Sequence, residues 1–487
     1  MPLFKHDTIA AVATPPGEGG IAIIRVSGPQ ARQIAARVFR PRSGQDPAAF
    51  PGYSVHYGAF VEPETGEVAD DGLLTTFHAP HSYTGEDMVE MACHGGRANT
   101  LRVLQLALNA GARLAEPGEF TQRAFLNGRL DLAQAEAVAD IIRARTEAAR
   151  RLARRQLDGA LSQAVAALKD ELIGILAAIE VTIDFSDEVG ELEYAPLAAR
   201  LAAVREGIAR LLATAEQGRI LREGLRVAIV GRPNVGKSSL LNALLRAERA
   251  IVTPIAGTTR DLVEESANVC GLPLVLIDTA GLRETADLVE RIGVERAAQA
   301  AASSDAILFV LDAIAGVTPE DADIARQLKE TAAPRILAVI NKCDLVTPER
   351  AQDVRAEVER MLTSLACGSV LLSAQTGAGL DRLEEALARA ATGKNCVPMG
   401  IPEAVPPYGE VAEAGEGVLV ASARHRQALE SALASVREAE QTTQRHLPGD
   451  FIAIDVRGAL DTLGLITGET VTEDIIHRIF RDFCVGK

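Results

Sequence analysis

Near its middle the chain carries residue clusters whose types and spacing belong to nucleotide chemistry. Gly231-Arg232-Pro233-Asn234-Val235-Gly236-Lys237-Ser238-Ser239 fits the pattern GxxxxGK[ST]. Its glycines let backbone N–H groups wrap phosphates while the N-terminus of the following helix faces them. Lys237 then supplies a point charge to the β/γ oxygens, and the Ser238 hydroxyl can ligate Mg2+. Asp278-Thr279-Ala280-Gly281 adds a carboxylate for the Mg2+ shell and a glycine N–H for the γ-phosphate. In Asn341-Lys342-Cys343-Asp344 a carboxylate can accept from both N1–H and N2–H2 of guanine. Adenine would leave Asp344 desolvated and unpaired, which selects GTP over ATP. Between the first two motifs lies Ala256-Gly257-Thr258-Thr259-Arg260-Asp261. A threonine there can swing onto Mg2+ when the γ-phosphate is present; it can equally cap a turn.

Hydrolysis needs a group that orients water. Many GTPases carry a Gln just after DxxG, but here that position is Leu282, which forms no hydrogen bond to water. Glu284, Asp287, Glu290 and Glu295 follow as candidate acids, or as a solvated helix face. Beside the phosphates, the Asn234 amide oxygen can hold a monovalent cation that supplements Lys237, or simply belong to the loop.

The elements that position these groups follow from periodicity. Apolar β-runs at 225–230, 273–277, 306–311, 335–340 and 369–372 alternate with helical segments, and most run straight into a motif. That is the pattern of an open α/β sheet with its ligand at the strands' carboxyl ends. Before it, residues 1–127 mix short β-runs (21–26, 53–61, 73–79, 88–93) with one helical stretch near 98–110, an α+β pattern. Residues 128–223 are Ala/Leu/Arg/Glu-rich with helical spacing. The α/β zone spans 224–391, and 392–487 holds a Gly/Pro-rich linker followed by helices at about 422–445 and 452–483. A short helical tail makes a poor core alone. The expected architecture is therefore multidomain: an N-terminal α+β domain and an α-helical bundle domain, with an α/β P-loop G domain inserted in the bundle.

Composition sets outer bounds. Apolar residues make up 47% and charged residues 24%, which excludes disorder for the bulk of the chain. With 50 basic against 66 acidic residues the formal charge is -16, so nucleic acid contact requires a local basic patch. The densest candidate is Arg143, Arg145, Arg150, Arg151, Arg154 and Arg155; on one helix, residues 143, 150 and 154 would share a face. Pairing of Glu147 with Arg151 on a solvated face is the other reading. Aromatics are 3%, with no Trp, which disfavours a stacking platform for RNA or sugar. The six cysteines form no CxxC pair, which suits a reducing compartment without a zinc cage. No apolar run approaches the ~18 residues of a membrane span, so a cytoplasmic protein is expected.

Several blocks together resemble one family. Gly231–Ser239, Ala256–Asp261, DTAGLR from Asp278, VERIG from Val289, and the terminal Phe-Cys484-Val-Gly-Lys487 are similar to the bacterial tRNA modification GTPase family MnmE (TrmE). So are ATPPGEGGIAIIRVSG (13–28), SYTGEDMVE…HGG (82–96) and PGEFTQRAFLNGRLDLAQAEA (117–137). The resemblance covers nearly the whole chain, and its terminal CxGK and N-terminal blocks are not general GTPase features.

The resemblance implies a cytoplasmic homodimer formed by the N-terminal domain, which binds 5-formyltetrahydrofolate. It implies work with the FAD protein MnmG (GidA) in a heterotetramer on the wobble uridine of certain tRNAs, and potassium-stimulated GTP hydrolysis. The nucleotide-binding set would be Asn234, Val235, Gly236, Lys237, Ser238, Ser239, Thr253, Pro254, Ile255, Ala256, Gly257, Thr258, Thr259, Asp278, Thr279, Ala280, Gly281, Asn341, Lys342, Asp344, Ser373, Ala374 and Gln375. Potassium would fall to Asn234, Thr253, Ile255 and Thr258, and Mg2+ to Ser238 and Thr259. Glu290 would orient water, with Lys237, Asn234 and Arg260 in the catalytic set. Folate contacts would be Arg25, Glu90, Arg129 and Lys487. Arg25 reads otherwise as a surface strand-end charge, and Glu90 as merely outward-facing. Cys484 joins the modification chemistry by resemblance, although its amphipathic surroundings fit a buried small apolar residue equally well. The competing function is a ribosome-assembly switch that binds rRNA. It normally brings an RNA-binding module or a second G domain, and the sequence shows one G domain and no GxxG-type loop after it.

Overall fold

The computed structural model describes residues 7–190, 192–247, 264–278, 304–330, 335–363, 368–391, 418–481, 483, 484 and 486. Two compact units emerge. One comprises 1–142, 155–205 and 428–487; the other comprises 143–154 and 206–427, so the second interrupts the first along the chain.

The first unit opens with β1 (Ile9–Val12), β2 (Ile21–Ser27), α1 (Ala31–Val38), β3 (Phe39–Pro41), β4 (Ser54–Val61), β5 (Val68–Phe77), β6 (Met88–His94), α2 (Arg97–Asn109), β7 (Arg113–Leu114) and α3 (Glu119–Leu126). The strands form one sheet in the order β3-β4-β5-β6-β2-β1-β7, antiparallel except for the β1–β7 pair. Alternate residues fill the face shared with α1 and α2: Ile24, Val26, Phe60, Leu74, Val89 and Met91 pack with Ile34, Val38, Val103 and Leu106. On the other face, Ile9 and Ala11 are covered by Ala115, Phe120 and Tyr83. Further along that face Val55, Tyr57 and Leu73 remain exposed. On α3, Arg123 is buried and bonds Asp7, Glu119 and Glu86. Burial alone would raise the Asp7 carboxyl, but hydrogen bonds from Arg113 and Arg123 outweigh it and hold Asp7 below the usual range.

The helices that follow are α4 (Leu132–Arg143), α5 (Glu147–Leu157), α6 (Ala160–Asp184), α7 (Ser186–Val189), α8 (Tyr194–Leu212) and α9 (Ala215–Glu223). Two corrections to the sequence expectation arise here. First, the chain is not helical between Arg143 and Glu147, so Arg143 cannot share a helix face with Arg150 and Arg154. The expected pairing of Glu147 with Arg151 is present, and Arg150 bonds Glu147 as well; together they pull its carboxyl down to about 2, while Arg145 bonds Ser266. Second, the single helix expected over 452–483 is two, Gly449–Thr467 and Glu473–Arg481. Gly468 ends the first in a left-handed conformation (φ 94°) and packs against Phe125 and Leu132. Ile476, Phe480 and Phe483 then cluster with Leu132, Ala135 and Ala139.

The second unit is built on β8 (Leu225–Val230), α10 (Lys237–Ala247), β9 (Glu264–Val269), β10 (Leu272–Asp278), β11 (Ala306–Asp312), α11 (Pro319–Glu330), β12 (Arg335–Asn341), α12 (Pro348–Met361), β13 (Ser369–Leu371) and α13 (Leu380–Ala391). Its sheet runs β13-β12-β11-β8-β10-β9, parallel except for β9. The apolar runs are continuous because both faces are buried: Val227, Ile229, Leu308 and Val310 join one cluster, and Ala228, Val230, Ile307 and Phe309 the other. Strand β9 (EESANV) carried too little apolar pattern to be read from sequence. The Gly/Pro-rich stretch 393–417 lies outside the described residues. Among the described residues no helix is long and apolar enough to cross a membrane.

A Cβ at position 468 would lie 2.7 Å from Phe125 and 2.9 Å from Leu132, at a positive φ as well. Gly468→Ala is expected to destabilise the chain by about 1–3 kcal/mol. Urea unfolding followed by circular dichroism checks this; an unchanged midpoint would show that the turn relaxes freely.

Candidate functional site

In the α/β unit the parallel strands end side by side, and the polar motifs follow those ends. Strand β8 leads into the loop 231–236, β10 closes at Asp278 in register with Ile229, and Asp312 of β11 is in register with Asn341 of β12. The loop is fixed from its outer side. Asn341, 2% exposed, donates from Nδ2 to the Val235 carbonyl at 2.9 Å and accepts the Ala374 N–H on Oδ1 at 2.9 Å. One amide side chain thus ties the phosphate loop, the guanine motif and the Ser373-Ala374-Gln375 turn together. Lys342 Nζ donates to the Asn234 carbonyl and to Asp312 Oδ2, both at 2.8 Å. Burial would raise Asp312, but the bonds from Lys342 and the Ile314 N–H prevail and keep its carboxyl below the ordinary range.

Gly236 shows why the pattern requires glycine. Its φ is 98°, and a Cβ would meet Asn341 Nδ2 at 2.2 Å. Any side chain there would push Asn341 away from Val235. Lys237 begins α10 and donates from Nζ to the carbonyls of Gly231 at 2.8 Å and Arg232 at 2.9 Å. The Asn234 backbone is left-handed (φ 62°), and Asn234, Ser238 and Ser239 are exposed. Asp344 is exposed just past β12, reachable by a base, while Ser373 is buried and its hydroxyl accepts the Thr376 N–H. The neighbouring Cys343 thiol is pushed up by burial.

The arrangement fits a guanine nucleotide with Mg2+. Backbone amides and Lys237 would face a polyphosphate, Ser238 stands in the first turn of the helix beside it, and Asp344 would offer the base an acceptor pair. Thr253, Pro254, Ile255, Ala256, Gly257, Thr258, Thr259, Arg260, Thr279, Ala280, Gly281 and Glu290 lie outside the described residues. Asp312 was missed from sequence, although it closes the one β-run that ends on a carboxylate without a named motif.

The N-terminal sheet brings a second set together. Arg25 and Glu90 are cross-strand partners; Nε and Nη2 of Arg25 donate to Glu90 Oε1 at 2.9 and 2.8 Å. Arg25 is therefore no strand-end surface charge, and Glu90 does not merely face outward. The guanidinium lies 5.2 Å from the Tyr83 ring centre and 5.7 Å from that of Phe120. Its Nη1 donates to the Gly486 carbonyl at 3.4 Å, so Gly486 lies against the sheet. The Cys484 carbonyl accepts the Gly118 N–H at 3.3 Å, and Cys484 itself is exposed, which corrects the expectation of a buried small residue. Arg129 is exposed and runs alongside Gly85, whereas Lys487 lies outside the described residues. Tyr83 and Phe120 were not singled out from sequence. Both sit inside the blocks SYTGED and PGEFTQ, where an aromatic amid polar residues was the available signal.

Comparison with known proteins adds identity to this geometry. Residues 8–129 match the family model described as GTP-binding protein TrmE N-terminus, and residues 132–484 match that of the MnmE helical domain. The chain is 49% identical over 484 residues to a tRNA modification GTPase MnmE of Moorella thermoacetica, covering 99% of each. It is 48% identical over 482 residues to one of Chloroflexus aurantiacus, covering 99% of this chain and 100% of that one. Among solved structures, Era of Aquifex aeolicus bound to GDP and AlF4- is 31% identical, with a TM-score of 0.28, covering 43% of this chain and 66% of that one.

Proposed function

This chain belongs to the MnmE family of tRNA modification GTPases, and from that premise we propose that its potassium-stimulated GTP hydrolysis drives 5-carboxymethylaminomethyl- or aminomethyl-type modification of the wobble uridine in certain tRNAs. The observation that carries this reading is the phosphate loop held by Asn341 and Lys342 within a chain that matches its relatives end to end. Under it, Lys237 and Ser238 meet the triphosphate and its Mg2+, and Asp344 meets guanine. Thr259 completes the Mg2+ shell. Asn234, with oxygens of Thr253, Ile255 and Thr258, would hold potassium, which would supply positive charge near the β–γ bridge. Glu290 orients the water in place of the Gln that Leu282 replaces, and Arg260 belongs to the same catalytic set.

The N-terminal set would hold 5-formyltetrahydrofolate through Arg25, Glu90, Arg129 and Lys487, with Cys484 close by in the modification chemistry. Support comes from the Arg25–Glu90 pair, flanked by Tyr83 and Phe120 and touched by the chain's end. A homodimer through this domain accords with the apolar side chains Val55, Tyr57 and Leu73 left exposed on one sheet face. The assembly would include the FAD protein MnmG in a heterotetramer and act on tRNA in the cytoplasm. The domains would be 1–127 for folate and dimerisation, 128–223 and 392–487 for the helical parts, and 224–391 for the G domain.

Nucleosides of tRNA from a deletion strain are expected to show unmodified wobble uridine; an unchanged profile would favour the ribosome-assembly switch. Turnover of GTP is expected to rise several-fold when K+ replaces Na+, and Asn234→Ala should abolish that rise. Equal rates in both salts would remove the cation from the mechanism.

A further inference from the structure

Arg232 lies inside the phosphate loop, yet no motif assigns its side chain a role. The side chain reaches Asp321 in the first turn of α11, with Nε 3.3 Å from Oδ2. Asp321 is 0% exposed. Its Oδ2 accepts the Thr318 N–H at 3.0 Å and the Thr318 hydroxyl at 2.7 Å, which caps the helix. Such a cap works at the surface and requires no arginine. Burying it demands a counter-charge, because a carboxylate withdrawn from water is stable only when paired. The pairing is incomplete as hydrogen bonding goes: among the described residues, Arg232 Nε and Nη2 and Asp321 Oδ1 are buried without a hydrogen-bond partner. Charge and packing, not a bidentate fork, hold the guanidinium in place. The main chain of the same residue works on the opposite side, where the Arg232 carbonyl receives Lys237 Nζ at 2.9 Å.

We propose that Arg232 and Asp321 are a positioning pair. Asp321 anchors the Arg232 side chain, which fixes the Arg232 peptide and hence the direction from which Lys237 meets the phosphates. This rests on the reading of the loop as a GTP site. Guanine is read elsewhere, by Asp344 beyond Asn341, so the pair acts on the phosphate side alone.

The test compares the full chain with Arg232→Met, Asp321→Asn, the double variant and Arg232→Lys, by GTP turnover, GTP and GDP affinity, and thermal melting. The double variant removes both charges together and keeps an amide oxygen for Thr318, so its melting is expected to stay near that of the unaltered chain. Its kcat/KM for GTP is nonetheless expected to fall about tenfold, with the preference for GTP over GDP reduced and that for guanine over adenine unchanged. Arg232→Lys should recover turnover to within about threefold. Normal melting with normal kcat/KM in the double variant would overturn the proposal, because the pair would then only neutralise a buried charge. A loss of guanine selectivity equal to the loss of turnover would overturn it too. Should the double variant not fold, Asp321→Asn alone decides by the same ratio. Absence of turnover in the unaltered chain would instead count against the GTPase reading, and the GTP-to-GDP affinity ratio would still judge the pair.

Discussion

A buried amide must find hydrogen-bond partners, and Asn341 finds them on two separate loops. Its side chain is withdrawn from water, so both its donor and its acceptor need protein groups, and leaving either unmade costs about 1–3 kcal/mol. The donor goes to the carbonyl of Val235 in the phosphate loop, and the acceptor takes the N–H of Ala374. The guanine motif, the phosphate loop and the turn after β13 therefore adopt their shapes together. Gly236 is the price of that closeness, since only hydrogen fits where Asn341 approaches. Lys342 repeats the device one residue on, joining the Asn234 carbonyl to Asp312.

The α/β unit was largely legible because its information is local. Continuous apolar runs such as LRVAIV and AILFVL form strands buried on both faces, and the motifs at their ends need only the chain's own order. What escaped was set by partners far along the chain. Strand β9, rich in Glu, Ser and Asn, is ordered by pairing with β10 and not by its own pattern. The break at Gly468 depends on Phe125 and Leu132, more than three hundred residues away. The arginine cluster appeared continuous only because the non-helical link after Arg143 carries no glycine or proline to announce it. Asp312 escaped for another reason: it belongs to no short motif and gains its role through Lys342.

The N-terminal unit shows the same dependence on distant partners. Arg25 and Glu90 are neighbours because β2 and β6 pair in register, and their surroundings come from Tyr83, Phe120 and the returning chain end. A residue-by-residue reading treats each as an isolated surface charge. Strand register turns them into a pair, and the cluster of Ile476, Phe480 and Phe483 against α4 brings Cys484 and Gly486 back toward this domain.

Equilibrium binding of GTP to Asn341→Ala tests the central claim most directly. If one amide holds the phosphate loop and the base-reading turn in place, the substitution should weaken GTP and GDP by about a hundredfold or more while the chain stays folded. Retained affinity, with only base selectivity relaxed, would show that the loop holds its shape without Asn341 and would contradict the account.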